Sequence, residues 1–519
     1  MQYCTACVLL VLLAACTAGR ETPGAATWPQ TRPERTNYAE TTRYDEAMAF
    51  LEAVVPRHPR LRLTSMGYTN EGRRLPLVVW GDVPEATPEA VHVSGKTVVY
   101  VQGNIHAGEV EGKEAMLALV RELAQGQHAD WARDLVLLIN PIYNADGNER
   151  VALGNRPLQL GPIGGMGQRP NAQGLDLNRD MTKLASPEAR SLVNVLNTYA
   201  PHVLIDLHTT NGSYHGYHLT YSPGLHPSTP PAITAFLRER LLPSVTATLR
   251  AEGIETHYYG NLNERPGVEG WTTFDHRARF VTNYGGLRGR VSILSEAYSY
   301  DPFDVRIRAT KRFVEEILDF VQAHAAEVRA LVATPPMAEV ALRADLGPPV
   351  QTTILLDDVT EVPHPVTGAP MLRRAGRPRA VEMPERGTFV ATETSRARGY
   401  LVPDTLRAAL RLLTAHGLRS RGPLQGTVAA ERFRLDSVRV ALRPFQNVQE
   451  RILFGRWEPA QTGPAAYQVF CAQDAGPILG VLLEPRSDDG LAAWAVLGAA
   501  LDQARVYPVL RANEACSGR

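Results

Sequence analysis

The chain has no surplus of charge: Lys plus Arg number 54 and Asp plus Glu number 54 in 519 residues. A dedicated nucleic-acid binder would carry a basic excess, so no nucleic-acid partner is expected. Cysteine is scarce, with five in all and three of those within residues 1–16. Cys471 and Cys516 remain, which gives no disulfide framework and no CxxC metal knuckle. Any metal site must then draw on histidine and carboxylate ligands. Long apolar runs are also missing. The run "VLLVLLAA" near the start is too short for a stable bilayer anchor.

That run reads as the apolar core of a signal peptide. It ends in Leu13-Ala14-Ala15-Cys16, which resembles the bacterial lipobox, where the cysteine is acylated and becomes the new N-terminus. The competing reading is an ordinary secretory signal, since no Lys or Arg precedes the apolar core. The expectation is a signal peptide over 1–16 and a Thr-, Pro- and Ala-rich tether over 17–38. The protein would be exported and held at the cell envelope by lipid on Cys16, in the outer membrane if the host has one.

Helical patterning begins at "YDEAMAFLEAVVPRHP", and "RLTSMGYTNEGRRLPLVVWG" reads as two strands around a turn. Buried strands follow at "TVVYVQGN", "DLVLLINPIYN", "HVLIDLHTT" and "RVSILSEAYSY". Helical segments lie between and after them, notably "SPEARSLVNVLNTYA", "PAITAFLRERLLPSVTATLRAEG" and a long stretch over 304–332. Strands alternating with helices predict an α/β sheet with helices on both faces. Past residue 334 the chain turns to short strand-like runs, "GVLLEP" among them, with one clear helix, "PDTLRAALRLLTAHG". The predicted division is a catalytic domain over 39–333 and a β-rich accessory domain over 334–519.

Chemistry concentrates where strands run out. "GNIHAGEVEGKEA" places His106 and Glu109 three apart after an apolar strand. Catalytic zinc sites keep three protein ligands and one open position. His208 closes the strand "HVLIDLH" and is the candidate third ligand. His202 sits at the other end of the same strand, roughly 20 Å away at strand rise, and His215 and His218 lie in a loop. "GQRPNAQGLDLNRD" offers Arg169 and the adjacent Asn178 and Arg179, a set suited to forked recognition of a carboxylate. Glu296 lies near the end of an apolar strand, where a carboxylate is costly unless solvated, paired or functional.

The ordered set HxxE, R-x8-NR, a strand ending in His and a strand carrying Glu resembles the zinc carboxypeptidases, the relatives of carboxypeptidases A and B and of the D/N/E branch. "NPIYNADGNER" and "SMGYTNEGRRLPLVVW" resemble further elements of that family, and the likeness runs over residues 40–330. It implies a mixed central sheet and a zinc ion held by His106, Glu109 and His208. It implies Asp176 as the carboxylate that orients the first histidine, and Asn178 and Arg179 as the grip on a peptide's terminal carboxylate. Arg169 would stabilise the oxyanion, and Glu296 would be the general base. The family's substrate-capping tyrosine has no secure match. Tyr284, in the Gly-rich "VTNYGGLRGR", is the candidate, with Tyr258 and Tyr259 as alternatives. The expected partner is a peptide with a free C-terminal carboxylate. Two other readings stay open: an amidohydrolase or deacylase of N-acyl amino acids or cell-wall peptides, and an inactive zinc-binding module.

Overall fold

A computed structural model describes residues 27–335, 337, 339–462, 466–498, 501 and 505–516. The lipobox and Cys16 lie outside these residues. Among the described residues no helix is long and apolar enough to cross a membrane.

The apolar runs become one eight-stranded sheet. Its strands are β1 (Leu61–Tyr68), β2 (Arg74–Trp80), β3 (Thr97–Gly103), β4 (Leu135–Asn140), β5 (Val203–Thr210), β6 (Leu219–Pro223) and β7 (Thr256–Tyr258). After the two short strands β8 (Asn261–Leu262) and β9 (Trp271–Thr272) comes β10 (Val291–Tyr298), which returns to the sheet. The order is β1-β2-β4-β3-β5-β10-β6-β7. The four central strands β4, β3, β5 and β10 run parallel, while β1, β2 and β6 pair antiparallel, so the sheet is mixed. Every residue of β3, β4 and β5 is buried, as expected of parallel strands covered on both faces.

Where the site lies follows from how β3, β4 and β5 connect. The chain leaves β3 through the helix Glu111–Ala124, whose Leu117, Leu119 and Val120 cover Val99, Val101 and Ile205 on one face. It leaves β4 through the helix Pro187–Thr198, whose Leu192, Val193 and Leu196 cover Tyr100, Leu138 and Leu204 on the other. The winding therefore reverses between β3 and β5. That leaves a crevice at their carboxyl ends, the usual ligand position in an open α/β sheet.

Several expectations are corrected. The single helix foreseen over 231–253 is interrupted by a π-helical stretch, Phe236–Leu241, before resuming at Leu242–Ala251. Pro243 lacks the N–H that a regular turn needs there. "GVLLEP" is not a strand: Ile478–Leu483 is helical and wholly buried, and a short apolar run has no period to tell the two apart. Residues 27–38, foreseen as tether, lie on the folded body. Pro33 is buried in the short helix Arg32–Arg35, and Arg121 donates to the Pro29 carbonyl at 3.0 Å. Cys471 and Cys516, left unpaired by the sequence reading, form a disulfide with a Cα–Cα distance of 5.7 Å. Gly399 makes room for it, since a Cβ there would meet the Cys516 sulfur at 2.7 Å.

The C-terminal region is β-rich, with a long hairpin of Val428–Val440 against Arg451–Thr462. It is continuous with the rest of the molecule. The strand Arg379–Arg386 pairs with β9, and Leu413, Leu418, Ile478 and Leu482 share one apolar cluster with Leu192, Leu196 and Tyr284.

Candidate metal and substrate site

"GNIHAGE" leaves β3 in a tight loop. Asn104 adopts φ of 68°, a left-handed conformation that asparagine tolerates. Its side-chain amide donates to the carbonyls of Ala107 and Glu109 at 3.3 and 3.4 Å. Asn144, from "NPIYNADG", then locks this loop to its neighbour, donating to the Ile105 and Arg169 carbonyls at 3.1 and 3.2 Å. Asp146 of the same motif accepts from Thr69 Oγ1, the Glu71 amide and Arg73 at 2.7, 2.9 and 2.7 Å. Two of the recognised motifs thus fix the rim rather than do chemistry.

His106, Glu109 and His208 converge. Their donor atoms all lie within 4.8 Å of one another, and all three side chains are buried. The two imidazoles face each other through Nδ1, 3.2 Å apart, and Glu109 reaches each Nδ1 at 2.9 Å. Each outer nitrogen, Nε2, meets a carboxylate: His106 on Asp176 at 2.9 Å and His208 on Asp206 at 2.8 Å. Such partners fix the ring orientation and turn Nδ1 toward a cation. Two nitrogens and a carboxylate at this spacing fit zinc with an open fourth position. Burial would raise the Asp176 carboxyl, but His106, Arg169 and Arg179 hold it well below the usual carboxylate range. Burial likewise opposes ionisation of Glu109, yet His106 and Arg156 keep it well below that range.

A pocket of about 130 Å³ opens on this cluster. Arg156, Arg169, Asn178, Arg179, Tyr259 and Glu296 line it together with the apolar Phe274, Phe280 and Leu294. Glu296 stands beside His208 on neighbouring parallel strands, the two residues in register. Burial pushes its carboxyl up to about 8, against the pull of His208. Arg169 lies on Asp176 at 2.9 Å. Arg179 stacks on the Phe280 ring at 3.9 Å and donates to the Asn178 carbonyl at 2.8 Å. Its nearest carboxylate, Asp176, is 4.0 Å away, and burial lowers its pKa. The Asn178 side chain accepts from the Val281 amide at 2.8 Å and turns its amide nitrogen toward His208, 3.4 Å away.

One expected residue does not arrive. Tyr284 is fully buried in the helix Val281–Leu287, bonded to His416 Nδ1 at 2.9 Å and accepting from Arg288 at 2.8 Å. It does not line the pocket, whereas Tyr259, the alternative in "HYYGN", does. The glycines of "VTNYGGLRGR" serve close packing. A Cβ on Gly285 would meet Ser292 Oγ at 2.5 Å, and one on Gly286 would meet Thr229 Oγ1 at 2.7 Å.

Two functional residues were missed. Asp206 carried a signal, because it precedes His208 by two on the same strand and so shares its face. Arg156, which donates to Glu109 at 2.5 Å, lies in an aperiodic loop that gave none.

Residues 47–236 match the family described as zinc carboxypeptidase. That stretch holds His106, Glu109, Arg169, Asn178, Arg179 and His208 and stops short of Glu296. The chain is 33% identical over 119 residues to probable carboxypeptidase 2 of Arthroderma benhamiae, covering 22% of this chain and 19% of that protein. It is 31% identical over 193 residues to carboxypeptidase D of Homo sapiens, covering 32% and 14%. The chain thus spans about a fifth, or less, of the length of these relatives. A solved metallo-carboxypeptidase from Burkholderia cenocepacia aligns with 54% of this chain and 70% of its own at 20% identity and a TM-score of 0.40. Residues 47–236 are thus similar to a zinc carboxypeptidase domain.

Proposed function

We propose that this chain is a zinc-dependent metallocarboxypeptidase that removes residues from the C-termini of peptides. The observation that carries the reading is a coincidence in one pocket. A guanidinium without a close carboxylate partner, Arg179, opens onto the same space as the ligand triad and a buried carboxyl, Glu296.

A zinc ion held by His106, Glu109 and His208 would polarise the scissile carbonyl and lower the pKa of the attacking water. Glu296 takes a proton from that water and returns it to the departing amine. Arg179, fixed by its stack on Phe280, receives the substrate's terminal carboxylate through charge-assisted hydrogen bonds. Arg169, tethered to Asp176, faces the carbonyl oxygen as it gains charge. Arg156 holds Glu109 in place by donating to its carboxylate.

Two variants test these roles by failing differently. Arg179→Ala removes a contact of roughly 1.5–3 kcal/mol, so kcat/KM on free-acid peptides should fall about 10- to 150-fold, with amidated peptides far less affected. Glu296→Gln should lower kcat about 10²–10⁴-fold on any substrate, with zinc content unchanged. If both variants lost activity equally on free-acid and amidated peptides, the carboxylate grip would be assigned wrongly.

We further place the protein at the cell envelope, lipid-anchored through Cys16. The Leu13-Ala14-Ala15-Cys16 motif supports this, and the Cys471–Cys516 disulfide suits an oxidising compartment. Cys16→Ser should release the protein from membranes or block its maturation. An unacylated N-terminus downstream of Cys16, found by mass spectrometry, would contradict the anchor.

A further inference from the structure

The segment that holds the carboxylate grip is fastened from behind by the C-terminal region. Gln446 sits at the tip of the hairpin Val428–Val440/Arg451–Thr462, and its Oε1 accepts from the Asp176 amide at 2.8 Å. Asp176 in turn accepts from the Asn178 amide at 2.9 Å and opens the turn Leu177–Arg179. Just past Arg179, Thr182 is held twice. Its carbonyl accepts from His416 Nε2 at 3.0 Å and its hydroxyl from Trp494 Nε1 at 2.9 Å.

The second wall is fixed the same way. Phe280, the ring under Arg179, follows Arg279, whose side chain is fully buried. Asp489 accepts from both the Arg279 amide and its Nε, at 2.5 and 2.8 Å, and Glu450 accepts from its Nη2 at 2.7 Å. The guanidinium also lies over Trp494, 4.3 Å from the ring centroid. Buried and paired with two carboxylates, Arg279 has one available position, and the backbone of Phe280 takes its place from it. Met181 closes the frame, its amide donating to the Arg279 carbonyl at 3.2 Å. Asn178 and Arg179 thus stand on one strip of backbone and Phe280 on another, each strip bonded to residues from the C-terminal region.

We propose that the C-terminal β-rich region is a working part of the exopeptidase site, with Gln446 and Asp489 as positioning residues. They set Arg179 and Phe280 at the depth where a peptide's terminal carboxylate is received. The proposal rests on the carboxypeptidase reading above and adds to it a role for the region after residue 334. Gln446 acts through the Asp176 backbone and the turn that follows, not through the carboxylate that His106 and Arg169 share. Asp489 acts through Arg279 and Phe280. Neither touches the pocket, so neither enters the chemical step. Loss of either should weaken recognition of the carboxylate and leave turnover intact.

The test uses the full zinc-loaded chain and matched peptides that differ only in a free or amidated C-terminus. Gln446→Ala alters a partly exposed loop tip and should leave folding unaffected. It should raise KM for the free-acid peptide about tenfold with kcat unchanged, and leave the amidated peptide as it was. Gln446→Glu keeps an acceptor for the Asp176 amide and should restore much of the loss. Asp489→Asn should show the same split, and if it fails to fold, Gln446 alone decides. Calorimetric titration of both peptides into chains that also carry Glu296→Gln reads the same shift as affinity, free of turnover. Wild-type discrimination retained in both variants overturns the proposal, and so does an equal loss on both peptides, which would mark the region as structural support only. Wild-type enzyme that ignores the free carboxylate overturns instead the carboxypeptidase reading on which the proposal stands.

Discussion

Each imidazole of the ligand triad has its own carboxylate behind it, Asp176 for His106 and Asp206 for His208. Hydrogen-bonded partners of this kind are worth about 10–100-fold in metal affinity. Asp206→Asn and Asp176→Asn should therefore each weaken zinc binding by about that factor, while His208→Ala should lose the ion outright. Competition against a chelator of known affinity measures all three, and wild-type affinity in Asp206→Asn would show that the Nε2 contact does nothing for the metal. At this scale much of the site was legible. HxxE confines two candidate ligands to one loop, and His208 and Glu296 each lie near the end of an apolar strand, which parallel pairing brings side by side. Residues in aperiodic loops were not legible. Arg156 and the choice between Tyr259 and Tyr284 depend on how the loops 150–175 and 257–290 cross the rim, and neither has a repeating pattern to read.

Among the secondary-structure elements, β3, β5 and the helix Glu111–Ala124 set the ligands' spacing through contacts closer than side chains allow. A Cβ on Gly112 would meet Leu207 Cβ at 2.7 Å, and one on Gly103 would meet the Gly112 carbonyl carbon at 2.8 Å. Gly112→Ala must push the helix away from β5 one residue before His208. It should cost about 1–3 kcal/mol of stability and loosen the triad. Denaturant titration of the metal-free protein should show a lower midpoint, and an unchanged midpoint would mean that the helix yields freely. Element types were largely readable, since β3, β4, β5 and β10 are apolar runs of strand length and the helix Phe303–Ala323 keeps a clear amphipathic period. The exceptions have local causes, with a π-helical stretch before Pro243 in one helix and the aperiodic "GVLLEP" hiding another.

For the whole molecule, the sequence showed a change of composition near residue 334 but not that the two halves share a core. Contacts such as Arg279 with Asp489 join residues 210 apart, and nothing local in a sequence announces them. The buried and half-buried histidines have a consequence at this scale. Burial lowers His202 and His218 to about 4, and His215, His226 and His416 to about 3, from an ordinary 6.5. The unfolded chain takes up protons on these residues first, so their contribution to stability is complete above pH 6.5 and declines as the pH falls toward 3. Asp301, Asp489 and Glu296 run the other way, with burial raising them to about 6, 6 and 8, and they recover stability on acidification. Across this range the large histidine shifts outweigh those of the raised carboxyls, so the melting temperature of the metal-free protein should fall between pH 6.5 and 4. A flat calorimetric profile over that range would show that these histidines are open to water.

The carboxypeptidase reading is tested most directly by the products of the zinc-loaded enzyme on one peptide and its amidated twin, followed by mass spectrometry. Residues should leave the free-acid peptide singly from the C-terminus, and the amidated twin should be cleaved about 10- to 150-fold more slowly, the factor a charge-assisted carboxylate contact is worth. Internal fragments, or equal cleavage of the two peptides, would contradict it.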